Sequence, residues 1–158
     1  MSGVYILSED NKFISQIRRL PFGDKAEAIK NIIELPEKEN GVIIMYKTGA
    51  EDISIPPQYI AVAWEEDRGA LKTIEESGLR VVTCGFSSTS TLNISAVAED
   101  EISFEIQRKM NALDGSIYEE GEMPMKLPLG ADEEAAMLWA AAAMIKLGEK
   151  EFRHLFDI

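Results

Sequence analysis

The sequence predicts an α/β fold: a mostly parallel sheet flanked by helices and extended by an antiparallel hairpin. Three observations predict it. Val42–Tyr46 and Tyr59–Trp64 are continuous apolar runs of strand length, the pattern of strands covered on both faces. Tyr59–Trp64, a helical stretch and Leu79–Cys84 follow one another with short joints, which implies a parallel β-α-β crossover. Asn93–Val97 and Ile102–Ile106 alternate instead, with Leu92, Ile94, Ala96 and Ala98 on one side of the first and Ile102, Phe104 and Ile106 on one side of the second. With Glu99-Asp100-Glu101 between them they read as a hairpin with one wet face.

Taken in order, Gly3–Leu7 is a short apolar strand that ends in Ser8-Glu9-Asp10-Asn11, a capping cluster for a helix over about Lys12–Leu20. Pro21 and Gly23 stop that helix. Asp24 then caps a second one, in which Ala28, Ile29, Ile32, Ile33 and Leu35 fall at helical spacing and which Pro36 closes. With the strand Val42–Tyr46, residues 1–58 are expected to read β-α-α-β. Ser54-Ile55-Pro56-Pro57 marks an internal seam, because neither proline can donate to a ladder.

Beyond the seam, Glu66–Ser77 is a helix with Leu71 and Ile74 on one face, and Gly78 ends it. After the hairpin come a turn at Asn111–Gly115, an acidic loop at Tyr118–Gly121 and a strand at Glu122–Leu127. The last long helix runs from about Asp132 to Leu147, with Asp132, Glu133 and Glu134 at the positive end of its dipole, Lys146 at the negative end and Gly148 beyond. Its four consecutive alanines let it lie close against a sheet. A tail helix, Glu149–Phe156, is expected to pack Phe152, Leu155 and Phe156 against the body. The expected organisation is one α/β domain of 158 residues, made of segments 1–58, 59–148 and a tail 149–158.

Charge narrows the partners. The chain has 16 basic and 28 acidic residues, net −12, a sign that repels nucleic acid and anionic lipid. Residues 1–64 hold 7 basic and 9 acidic side chains, whereas residues 65–158 hold 9 and 19. A single cysteine and the opening MSGVYILSED, with no basic and apolar leader, predict a cytoplasmic protein. The apolar stretch Ala135–Leu147 is too short to span a bilayer and is expected to be a buried helix.

From Tyr59 to Gly148 the order of features resembles the second half of the central domain of the Mur ligases, ATP-dependent amide-forming enzymes of cell-wall precursor synthesis. The residues that carry the likeness are YIAVAW, the acidic EED, LRVVTCGF, the hairpin LNISAV and ISFEIQ, MPMKLPLG, and the alanine-rich AAMLWAAAAMIKLG. The resemblance implies that fold. It does not bring the chemistry, because a phosphate loop needs Gly-Lys-Ser/Thr and no glycine in this chain precedes a lysine. Where the family holds nucleotide with a His-Asn pair and a later Asn, this chain has Asp132, Glu133 and Ala136, so ATP would meet like charge. Where the family reads Asn-x-Asp-Asp, Ala63-Trp64-Glu65-Glu66-Asp67 keeps acidity without the asparagine. No cofactor is expected. The plainest functional expectation is a non-catalytic binding or assembly module, self-associating or bound to a protein partner, in the setting of cell-wall precursors.

Several groups carry alternative chemistry. Glu65, Glu66 and Asp67 follow a parallel strand, where open α/β sheets place ligands, so they either hold a divalent cation for a small enzyme or open the next helix. Ser87, Ser88 and Thr89, in the run to Thr91 after Gly85, either bind an anion or form a solvated connection. Trp64 closes a pocket or anchors an interface. Cys84 and the lone His154 are seventy positions apart, and no base adjoins the thiol, so neither a catalytic residue nor a metal site is assigned. Met110, Met123, Met125, Met137 and Met144 with Trp139 form either a core or an adaptable surface.

Overall fold

A computed structural model describes residues 3–31, 34–37, 39–48, 55–98, 101–126 and 132–156. Strand β1 (Val4–Ser8) leads into helix α1 (Asn11–Arg19), which Asp10 caps by accepting from the Phe13 amide at 3.1 Å. Phe13 and Ile17 are the buried face of α1. Leu20 leaves the helical region, and a single 3₁₀ turn follows at Gly23–Lys25.

Here the expected second helix is corrected. Glu27–Ile29 is instead a short strand, β2, parallel to β1 with Tyr5 opposite Glu27 and Leu7 opposite Ile29. The helical spacing of Ala28 and Ile29 was outweighed by the open edge of β1, whose backbone groups need partners. Ile32 and Ile33 lie outside the described residues, as does Ser54 of the seam.

Strands β3 (Gly41–Tyr46) and β4 (Tyr59–Trp64) are buried along their whole lengths, as continuous apolar runs require. Helix α2 (Arg68–Ser77) crosses from β4 to β5 (Arg80–Cys84), and its C-cap Gly78 adopts φ +68°, the left-handed conformation that glycine accepts freely. The helix starts two residues later than expected, and Asp67 is its cap. Hairpin strands β6 (Leu92–Val97) and β7 (Glu101–Ile106) pair antiparallel, and β10 (Gly121–Lys126) adds antiparallel to β7. Pro124 is tolerated there because β10 is an edge strand. Two short strands, β8 (Met110–Asn111) and β9 (Ile117–Tyr118), form a separate hairpin. Helices α3 (Glu133–Leu147) and α4 (Glu149–Leu155) end the order.

The result is an α/β protein whose eight-stranded sheet runs β10-β7-β6-β5-β4-β3-β1-β2, parallel from β2 to β6 and antiparallel beyond. Alternate residues of the parallel strands feed two cores. Val4, Ile6, Val42, Ile44, Ile60 and Val62 face α1 and α3. Tyr5, Ile43, Met45, Ala61 and Ala63 face α2 through Ala70 and Ile74.

Helix α3 is apolar all round and buried all round. Every residue from Ala135 to Ile145 is at most 1% exposed, which a helix achieves only when the protein encloses it. One side lies on the parallel strands, where Ala140–Ala143 permit close approach; the others meet α1, α4 and the inward residues Phe104, Ile106, Met123 and Met125 of the antiparallel strands. Three of its carbonyls also accept bonds from outside the helix. Tyr118 donates its hydroxyl to Met144 at 2.7 Å, Leu113 its amide to Ile145 at 2.9 Å, and Cys84 its thiol to Met137 at 3.7 Å. The five methionines and Trp139 are therefore core, at most 1% exposed. In the tail Phe152 is buried and Phe156 packs beside it, but Leu155 is 41% exposed, contrary to expectation. Among the described residues no helix is long and apolar enough to cross a membrane.

Candidate functional site

For a doubly wound sheet ordered 2-1-3-4-5, the ligand-binding position is the carboxyl edge of the strands, next to the β1/β3 switch point. This chain puts Ser8–Asp10, Tyr46–Thr48, Trp64–Asp67 and Gly85–Ser90 along that edge, so the sequence-predicted residues do converge. How they converge was not expected.

Glu65 and the serine-rich loop are partners of each other. Glu65 Oε1 accepts from the amides of Phe86 at 3.0 Å and Ser87 at 3.1 Å, and Oε2 accepts from the Ser90 hydroxyl at 2.5 Å. The loop is thus an anion cradle of consecutive N–H groups plus a hydroxyl, and the anion it holds is the chain's own carboxylate. Gly85 makes this approach feasible, since a β-carbon there would stand 2.1 Å from Glu65 Cδ. Within the loop, Ser87 Oγ accepts from the Thr89 amide at 3.1 Å and shares a hydrogen bond with its hydroxyl, whereas Ser88 is exposed. Gln107 Nε2 ties the loop from outside, donating at 3.0 Å to the carbonyls of both Ser87 and Ser90.

Asp67 is turned to other work. Its Oδ1 accepts from the Ala70 amide at 3.1 Å as the cap of α2, and its Oδ2 from the Lys47 amide at 2.7 Å. Lys47 occupies φ +48°, unusual for a residue with a side chain, and that turn aims its N–H at Asp67. The Lys47 ammonium lies 3.5 Å from Asp10, the cap of α1. The hydrogen bond from the Phe13 amide, opposed by burial and aided by the Lys47 charge, holds the Asp10 carboxyl below the usual carboxylate range. Beside them Tyr46 stacks on Phe13 at 4.1 Å and donates its hydroxyl to Glu134 in the first turn of α3. Burial, then that hydrogen bond, pushes the Tyr46 phenol well up. Asp132 caps α3, accepting from the Glu134 amide at 3.3 Å.

Trp64 is buried, with its ring edge-on to Phe86 at 5.5 Å; Phe86 itself is 55% exposed. The acids of EED do not share one direction: Glu65 faces the loop, and Asp67 faces Lys47 and α2. Among the described residues no group of three or more His, Cys, Asp or Glu side chains could hold a metal ion. Cys84 is fully buried, and desolvation followed by the Glu65 charge drives its thiol pKa up, so it is an inert core thiol. His154 is exposed on α4.

Sequence reasoning had the run from Ser87 to Thr91, Ser90 included, as a candidate anion site, and missed Phe86, Lys47 and Tyr46 as members of this edge. The available signal was positional: an acid ending one parallel strand faces the loop that ends its neighbour, and both were placed there by the β-α-β reading. Neither a known protein family nor a curated protein matches this chain.

Proposed function

We propose that the chain is a non-catalytic binding or assembly module, built on a layout like that of a Mur ligase central domain and without its nucleotide-binding chemistry. One observation carries the reading: the loop that could cradle a phosphate at the carboxyl edge of β5 is filled by Glu65. A nucleotide phosphate would have to displace an internal carboxylate that gives up three hydrogen bonds, and would meet the further negative charge of a chain of net −12. Asp10 and Asp67 are likewise committed as helix caps, which leaves them poor metal ligands. The buried thiol and the distant exposed imidazole supply no nucleophile and base pair. The order strand, helix, strand, hairpin, strand, helix from Tyr59 to Leu147 supports the Mur-like layout, and makes a UDP-linked muramyl precursor the first ligand to try. Phe86, exposed beside Trp64, is the apolar element that a partner or a second copy would cover.

The test is titration calorimetry with Mg-ATP and with the muramyl precursor, paired with amide spectra. The expected result is no ATP binding in the micromolar range. Micromolar binding that moves the amides of Phe86 and Ser87 would overturn the reading, because it would show the cradle open to phosphate.

A further inference from the structure

The opposite, amino edge of the sheet holds a second feature. Strands β5 and β6 meet in register only at Cys84 and Leu92, so the outer edge of β5 from Arg80 to Val82 has no strand partner among the described residues. The chain returns past this gap after β7, fastened by the Gln107 amide on the Thr91 carbonyl at 2.8 Å, and runs on through Lys109–Asn111. Between the two lie adjoining cavities of about 350 and 270 Å³ that share Arg80 and Asn111.

The lining is that of a small-molecule cleft, an apolar floor with a few polar groups at the walls. Ile60, Val82 and Met110 form the floor. Arg80 stands at the junction, and among the described residues no carboxylate pairs with its guanidinium. Among the described residues Asn40 and Asn111 bring side-chain amides that make no internal hydrogen bond, and Gln58, whose Nε2 donates to the Glu37 carbonyl, adds its Oε1. Lys109 lines the second cavity; its only ion pair among the described residues, to Glu119 at 3.7 Å, joins two largely exposed side chains and is worth little. In a chain of net charge −12, two cations without strong internal partners flank one cleft. The remaining negative charge does not forbid an anion there, since salt screens charges beyond about 8–10 Å.

We propose that this cleft binds a small organic anion, its carboxylate or phosphate group held by Arg80 and Lys109 and its polar body by the amides of Asn40, Gln58 and Asn111. Arginine presents paired N–H donors that match either anion, and the free edge of β5 adds main-chain groups. The site lies across the sheet from Glu65, and the inference does not depend on the function proposed above.

The test is titration of the ¹⁵N-labelled full chain with inorganic phosphate and, separately, with glutarate. Saturable shifts confined to the amides of Arg80–Val82 and Lys109–Asn111 are expected from at least one probe, and the stronger of the two identifies the anion type. Arg80→Gln should weaken that binding about tenfold or more without changing the melting temperature, since Arg80 is exposed. Lys109→Gln should weaken it less. Absence of saturable shifts with both probes would overturn the proposal. So would shifts spread over remote basic residues such as Arg18 and Lys72, or binding unchanged in Arg80→Gln.

Discussion

The carboxylate of Glu65 lies over the bare α-carbon of Gly85, where a β-carbon would come within 2.4 Å of both Cγ and Oε1. An acid at the end of one parallel strand and a glycine at the end of the next are fitted to each other, and the contact allows the carboxylate to reach the Phe86 and Ser87 amides.

Removing the acid should therefore loosen the loop. Glu65→Ala is expected to cost about 1.5–3 kcal/mol, the range for hydrogen bonds to a charged group. It should also speed hydrogen exchange at Phe86 and Ser87. Ser88→Ala, an exposed change in the same loop, should stay within about 0.5 kcal/mol. Denaturant titration measures both, and a neutral Glu65→Ala would show that the cradle holds itself.

Gly85→Ala should be destabilising alone and far less so in a Glu65→Ala background, because the second change removes the atoms that the new methyl meets. A double-mutant cycle measures the coupling, expected at about 0.5–3 kcal/mol for residues in contact. Additive effects would mean that the loop moves aside.

Asp10 contributes to the pH dependence of stability at the acid end, beside Glu34 and Asp114, whose carboxyls are also held low by hydrogen bonds. The folded pKa of Asp10 lies below its ordinary value of 3.8, so its stabilisation is complete above that value and is lost as the pH falls through the lower folded value. Asp10→Asn should retain the cap and flatten this part of the acid limb, whereas Asp10→Ala should cost about 1 kcal/mol at neutral pH. Melting temperatures from pH 2 to 6 for the three chains provide the check.

Around α3 the packing leaves no slack. Ala141→Leu should cost about 1–3 kcal/mol by overpacking. Trp139→Phe should cost a similar amount, because the indole N–H donates at 3.0 Å to the Pro21 carbonyl and the smaller ring leaves a void. Calorimetric melting measures each, and a stable Ala141→Leu would mean that this side of α3 has room.

The parallel strands were legible because burial on both faces leaves an unbroken apolar run, and β7 because burial on one face leaves an alternation; β6 departs from its expected alternation after Ile94, where a bulge leaves Ala96 and Ala98 exposed. The ends of α3 were legible from Asp132 and Gly148, whose side chain and position are local capping chemistry. The segment Glu27–Ile29 misled because a three-residue edge strand has no periodicity of its own, so the isoleucines and alanine around it read as a helix. The strands β8 and β9 were too short to announce themselves, although the turn between them was expected at Asn111–Gly115. At the site, the acids and the serine loop were both found, but their pairing spans 21 to 25 residues and depends on strand register. Periodicity does not encode which of two neighbouring loops turns inward.

Helix α3 comes after every strand of the sheet in chain order, yet it lies at the middle of the larger core. A growing chain that has not yet reached Glu133 presents most of one face of its strands to solvent, with only α1 earlier in the sequence to cover part of it. The sheet is thus assembled on contacts that close late and over long separations, a topology that folds slowly and leaves strand faces open to aggregation meanwhile. Molecules truncated ahead of α3 should therefore be captured by chaperones or precipitate, and the last 26 of 158 residues decide whether the rest stays in solution.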